Sequence, residues 1–90
     1  MAEAPYRIEV WPSVVRELED LPKKVRARVG AKIDGLGQNP RPPGAKLLQG
    51  GGGYLRIRVG DHRVLYRVDD SRRVVTVVKV GHRREVYRRR

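Results

Sequence analysis

Tyr6, Ile8 and Val10 alternate with Arg7 and Glu9, the period-two signature of a half-buried strand, which closes at Trp11-Pro12. Beyond it, Val14, Leu18 and Leu21 recur at i, i+4 and i+7. That spacing predicts a helix capped by Ser13, with Arg16, Glu17 and Asp20 outside its apolar stripe. Pro22 interrupts the stripe and suits the first turn of a second helix, which would bury Val25, Val29, Ile33 and Leu36. The two segments read as an αα-hairpin. Gly37 and Asn39-Pro40-Arg41-Pro42-Pro43-Gly44 end it in a stiff loop, because pre-proline residues avoid the α region and proline has no N–H to donate.

The second half of the chain changes period. Leu55, Ile57 and Val59 alternate with Tyr54, Arg56 and Arg58; Val64, Tyr66 and Val68 alternate with Arg63, Leu65 and Arg67. Gly60-Asp61-His62 reads as the hairpin turn between them, and Asp69-Asp70-Ser71 as the turn into a third run, Val74 to Val80. That run is apolar on both parities except at Thr76 and Lys79, the pattern of a central strand covered on both faces. The order is β-α-α-β-β-β. The fold class is α+β, a single small domain over residues 1–90 with an N-terminal helical hairpin packed on one face of a mainly antiparallel sheet.

Length and composition narrow the function. A chain of 90 residues has room for one small core. It has no cysteine, so disulfide frameworks and thiolate metal sites are excluded and a reducing compartment, the cytoplasm, is expected. No apolar run is long enough to span a bilayer, and no membrane partner is expected. Residues 1–45 carry 8 basic and 6 acidic side chains, whereas residues 46–90 carry 13 and 4, so most of the net charge of +11 lies in the second half. A positive field of that kind attracts polyanions, and 16 of the 21 cations are arginine, whose fork suits phosphate.

Strand alternation puts Arg56 and Arg58 together on the face opposite Leu55, Ile57 and Val59, about 7 Å apart along the strand. Past the last strand, Gly81-His82-Arg83-Arg84-Glu85-Val86-Tyr87 brings an imidazole, cations and a phenol to the end of the sheet. Other chemistries are poorly served. His62 and His82 are the only histidines and have no carboxylate cluster at ligand spacing, so no metal site and no cofactor are expected. Ser13 and Ser71 lack a nucleophile setting, and Gly50-Gly51-Gly52-Gly53 is followed by no Gly-Lys-Ser/Thr, so it reads as a flexible connection. Metal-free phosphate chemistry on RNA fits best: the 2′-OH is the nucleophile, and the protein supplies positioning, cations, a base and an acid. Tyr66 shares parity with Val64 and Val68 and is assigned to the core; Trp11 is assigned to packing rather than base stacking.

Leu21-Pro22, Asn39-Pro40-Arg41-Pro42, Leu47 to Gly50, Arg56-Ile57-Arg58-Val59-Gly60-Asp61-His62-Arg63-Val64-Leu65-Tyr66 and Val80-Gly81-His82-Arg83-Arg84-Glu85-Val86-Tyr87 together give the chain its resemblance to a known family. It resembles the RelE/ParE toxins of bacterial type II toxin–antitoxin systems. The resemblance implies a RelE-like fold and a metal-independent endoribonuclease that cuts mRNA in the ribosomal A site, leaving a 2′,3′-cyclic phosphate and halting translation. The family also contains gyrase poisons, and a plain antitoxin-docking corepressor module is a third reading. Arg56, Arg58, Arg63, Arg83 and Tyr87 match the catalytic positions of the nuclease branch. Lysines are frequent at the first two, and arginine is a poor base, so proton abstraction must fall elsewhere. On this reading Arg56, Arg58 and Arg63 bind phosphate and stabilise the transition state, Arg83 stands near the leaving oxygen or the scissile phosphate, and Tyr87 stacks on a base or, with its phenol acidified by these cations, acts as the base, C-terminal packing being its alternative. His82 is a candidate acid or base, with a structural or antitoxin-contacting role as its alternative. Arg56, Arg58, Arg84 and Arg88 are the expected RNA contacts. The implied partners are a cognate antitoxin, mRNA and the ribosome, with a monomeric free toxin that forms a hetero-oligomer with the antitoxin.

Overall fold

The computed structural model describes residues 5–50 and 52–82. Strand β1 (Arg7–Val10) leads into helix α1 (Pro12–Glu19) and helix α2 (Lys23–Gly35), followed by β2 (Lys46–Leu47), β3 (Leu55–Val59), β4 (His62–Asp69) and β5 (Val74–His82). The strands form one sheet in the order β1-β5-β4-β3-β2. All neighbours are antiparallel except β1 and β5, which run parallel with Ile8 opposite Val75 and Val10 opposite Val77. The α+β architecture expected above is the one observed, with one strand more: β2 is a two-residue pairing at the sheet edge, Lys46 opposite Arg56.

Helix α1 starts differently from its expected form. Trp11 is its N-cap and Pro12 opens it, where a missing N–H costs nothing. Ser13 lies inside the helix and no side chain caps it, so the expected Ser13 cap is not made. At the other end the Arg26 guanidinium donates to the Glu19 and Leu21 carbonyls at 3.3 and 3.2 Å, satisfying groups that the end of α1 leaves without helical partners. This bond ties the two helices of the hairpin.

Val14, Val29, Ile33 and Leu36 from the hairpin pack against Leu55, Ile57, Val64, Tyr66, Val75 and Val77 of the sheet. Tyr66 is fully buried, as its parity predicts, and its hydroxyl donates to the Pro40 carbonyl at 2.7 Å, fastening the proline loop to the core. Burial pushes its phenol above the usual value.

The both-parity pattern of the last strand has a second cause besides its central position, which alone covers the buried Val74. Strand β5 is central, but Leu65 pairs with Lys79 while Tyr66 pairs with Val77, leaving Val78 as a bulge. The inserted residue shifts the alternation by one. Val75 and Val77 before it and Val80 after it therefore all reach the hairpin-side core. The hairpin turn is Gly60-Asp61, since Val59 already pairs with His62; Gly60 takes φ +61°, the left-handed backbone that two-residue hairpins need.

A polar clasp closes the sheet where β4 turns into β5. Asp70 accepts the Tyr6 hydroxyl at 2.6 Å and both terminal nitrogens of Arg41 at 3.1 and 3.0 Å, and the Arg73 guanidinium lies 4.4 Å over the Tyr6 ring. Hydrogen bonds from Arg41 and then Tyr6 hold the Asp70 carboxyl below the usual carboxylate range, and the Asp70 bond raises the Tyr6 phenol.

Candidate functional site

With one sheet face covered by the hairpin, the side chains of opposite parity share the other. Arg56 and Arg58 of β3 lie there, as alternation with the buried Leu55, Ile57 and Val59 requires. Cross-strand pairing extends the set: Lys46 is opposite Arg56, and Arg63 is opposite Arg58 on one side and Gly81 on the other. Four cations thus meet on three adjacent strands. Directly opposed like charges oppose folding, and an incoming anion relieves that repulsion.

Lys46, Arg56 and Arg63 line one hollow of about 440 Å³, together with Leu47, Leu48 and Gln49. Arg63 is 8% exposed, so its guanidinium is held by the surrounding structure before any ligand arrives. Fixed charge of this kind stabilises a transition state without reorganisation cost. Arg58 shares the face but not the hollow: it is exposed, and its Nε donates to the Gly60 carbonyl at 3.2 Å. Of the expected site residues, the structure therefore brings Arg56 and Arg63 together and sets Arg58 beside them.

His82 falls elsewhere. It pairs with His62, shares parity with Val80 and lies on the hairpin side of the sheet, while Gly81 faces Arg63. The two imidazoles meet edge to face, 5.7 Å between centroids, beside a hollow that Glu17, Asp20, Lys79 and Pro22 also line. The structure does not bring His82 to the arginines. Arg83, Arg84, Tyr87 and Arg88 lie outside the described residues.

Two features of this face escaped the sequence reading. Lys46 sits in a two-residue strand too short to leave a period. Trp11, assigned to packing, is 48% exposed. Its parity was the available signal: Arg7, Glu9 and Trp11 alternate with Tyr6, Ile8 and Val10, and the Trp11 N–H donates to the Val77 carbonyl at 3.1 Å, continuing the β1–β5 pairing by one residue. Among the described residues no group of three or more His, Cys, Asp or Glu side chains forms a metal-binding set.

Comparison with known proteins agrees with this fold. Residues 8–87 match the model of the ParE toxin of type II toxin–antitoxin systems. The chain is 34% identical over 86 residues to the toxin RelG of Mycobacterium tuberculosis, covering 94% of this chain and 99% of the relative. Among solved structures, the toxin–antitoxin complex RelBE of M. tuberculosis superposes with a TM-score of 0.78 at 30% identity, covering 89% of this chain and 93% of that one. The archaeal RelE–RelB complex of Pyrococcus horikoshii gives 0.78 at 32% identity, with coverage of 88% and 96%.

Proposed function

The chain belongs to the RelE/ParE family of toxins of type II toxin–antitoxin systems, and from that premise we propose that it is an endoribonuclease that cuts mRNA in the ribosomal A site. The observation that carries this reading is the hollow of Lys46, Arg56 and Arg63, three cations that line one space, with the buried Arg63 held in place. RNA brings its own nucleophile. The 2′-oxygen attacks the adjacent phosphorus, the bond to the 5′-oxygen breaks, and the products are a 2′,3′-cyclic phosphate and a 5′-hydroxyl end. Charge grows on the phosphate oxygens along this path, and guanidinium groups stabilise it as they develop, without a metal ion. Arg56 and Arg63 take that role, with Arg58 holding the adjoining backbone. Arg83 beside the leaving oxygen stabilises its charge until water protonates it, and Tyr87, its phenol acidified by the arginines, removes the 2′-proton as the phenolate. His82, on the other face, serves structure or a partner.

A cognate antitoxin is the proposed partner, since RelE structures from M. tuberculosis and P. horikoshii are complexes with their antitoxins. Charge complementarity calls for an acidic, apolar segment that folds as it covers the cationic face. Its place of action is the cytoplasm, where ribosomes are.

Mapping mRNA 5′ ends shortly after induction of the wild-type chain, beside an Arg63→Ala control, tests the nuclease reading. New 5′-hydroxyl ends at a fixed position within codons, absent from the control, are expected. The matching family model is that of ParE, which favours a second reading, a non-nuclease inhibitor of DNA gyrase. Growth arrest with DNA breaks and no new mRNA ends selects it.

A further inference from the structure

The sheet face that carries the arginine hollow continues past it. Tyr54 precedes Leu55 and shares the parity of Arg56, and the Arg67 guanidinium lies 5.3 Å from the centroid of its ring. Arg67 in turn pairs with Thr76, which pairs with Glu9 of β1. One row of side chains thus crosses the sheet beside the Lys46–Arg56 row. At its far end a second hollow, about 580 Å³, is lined by Trp11, Arg67, Thr76, Val78, Ser71 and Arg72. The indole is half exposed, and it and the bulge residue Val78 are the apolar members of a lining otherwise rich in hydroxyl, carboxylate and guanidinium groups.

We propose that this second hollow is a nucleobase-stacking subsite in which Trp11 carries a base of single-stranded RNA whose backbone runs across Arg67 and Arg56 to the cationic hollow. The proposal rests on the nuclease reading for the identity of the polyanion and adds a site that the reading does not use. Arg67 stands four residues from Arg63 on β4, a separation of about 13 Å, so the strand itself is the ruler between phosphate and base.

The charge distribution says which part of the RNA enters. Asp69 and Asp70 also border the second hollow. Asp69 holds the Ser71 hydroxyl at 2.8 Å and the Arg72 N–H at 3.1 Å, and Asp70 holds Tyr6 and Arg41. Two carboxylates repel a phosphate, but their lone pairs suit the exocyclic amino groups of bases. The phosphates therefore stay over Arg67 and Arg56, and the base turns toward Trp11. Stacking of this kind tolerates any base, because each has a π-face.

Trp11 is the single tryptophan of the chain, so its fluorescence reports on this hollow alone. The probe is a short single-stranded RNA, 2′-O-methylated throughout so that 2′-attack cannot occur. Inorganic polyphosphate serves as a polyanion without bases. Binding followed by anisotropy of labelled RNA should coincide with quenching of Trp11, and polyphosphate should bind without quenching. Trp11→Leu should weaken RNA binding on the order of tenfold and leave polyphosphate binding unchanged, while Trp11→Phe should restore most of the loss. Arg67→Ala should lower affinity for both and reduce the salt dependence. RNA binding without quenching, or a Trp11→Leu variant that binds RNA as the wild type does, overturns the subsite. Absence of RNA binding overturns it also; the 5′-end map in cells decides the nuclease reading separately, since it scores cutting and not Trp11.

Discussion

Glu17 of α1 takes the place of a missing strand partner for Val80: its Oε1 accepts the Val80 backbone N–H at 2.8 Å while Oε2 accepts the Lys79 ammonium at 2.8 Å. Strand β1 pairs with β5 only as far as Val77, and Trp11 adds one further bond, so the far half of β5 would otherwise present an unpaired edge. One carboxylate both closes that edge and docks the helix.

Glu17→Ala should therefore destabilise the fold by about 1–3 kcal/mol, the cost of leaving a part-buried backbone donor without its acceptor. Lys79→Met should cost less, because the Lys79 side chain is 42% exposed and water screens its pair. Urea unfolding of the two variants orders them, and equal losses would mean that the ion pair, not the Val80 bond, carries the contact.

Tyr66→Phe removes the hydroxyl that holds the Pro40 carbonyl and should cost about 1 kcal/mol without enlarging the core. Its effect should appear as that loss in urea unfolding together with faster proteolysis in the Asn39 to Gly44 loop.

The Asp70 clasp gives the fold an acid-sensitive component. Its carboxyl is lower in the folded chain than in the unfolded one, so its contribution is fully present above the ordinary Asp value of about 3.9 and fades as pH falls through the lower folded value. Tyr6 is shifted upward, so its bond persists below about 10 and is lost only as pH rises through the higher folded value. Thermal melts of wild type and Asp70→Asn should differ at neutral pH and converge as pH falls through the lowered folded value. Curves that run parallel down to that pH would remove Asp70 as the source.

Arg63→Lys should lower mRNA cleavage by about 100-fold despite keeping the charge, because ammonium cannot reproduce the planar fork of a buried guanidinium at a phosphate. Arg58→Lys should be milder, since Arg58 is exposed and already bends to Gly60. Single-turnover cleavage of ribosome-bound mRNA separates them.

Gly52→Ala should disturb the Tyr54 side of the cationic face. Gly52 has φ +82°, and a Cβ there would lie 2.8 Å from the Tyr54 ring, so both backbone and ring must yield. A loss of RNA affinity with little change in cleavage of saturating substrate is the expected signature.

Period and parity in the sequence by themselves determined the helical hairpin, the β3–β4 hairpin, the buried positions Leu55, Ile57, Val59, Val64 and Tyr66, and the common face of Arg56 and Arg58. Each of these follows from where successive Cβ atoms point, a property of the local backbone. Only the tertiary structure decided that β1 lies parallel beside β5, that Lys46 joins Arg56 through a two-residue strand, that the Val78 bulge lets Val77 and Val80 share a core, and that His82 faces away from Arg63. Trp11 divides the two cases: its parity was legible along β1, but its exposure depended on no described element covering that edge of the sheet. Register, bulges and edges are set by pairings between residues far apart in the chain, and a one-residue shift in such a pairing exchanges the two faces of a strand.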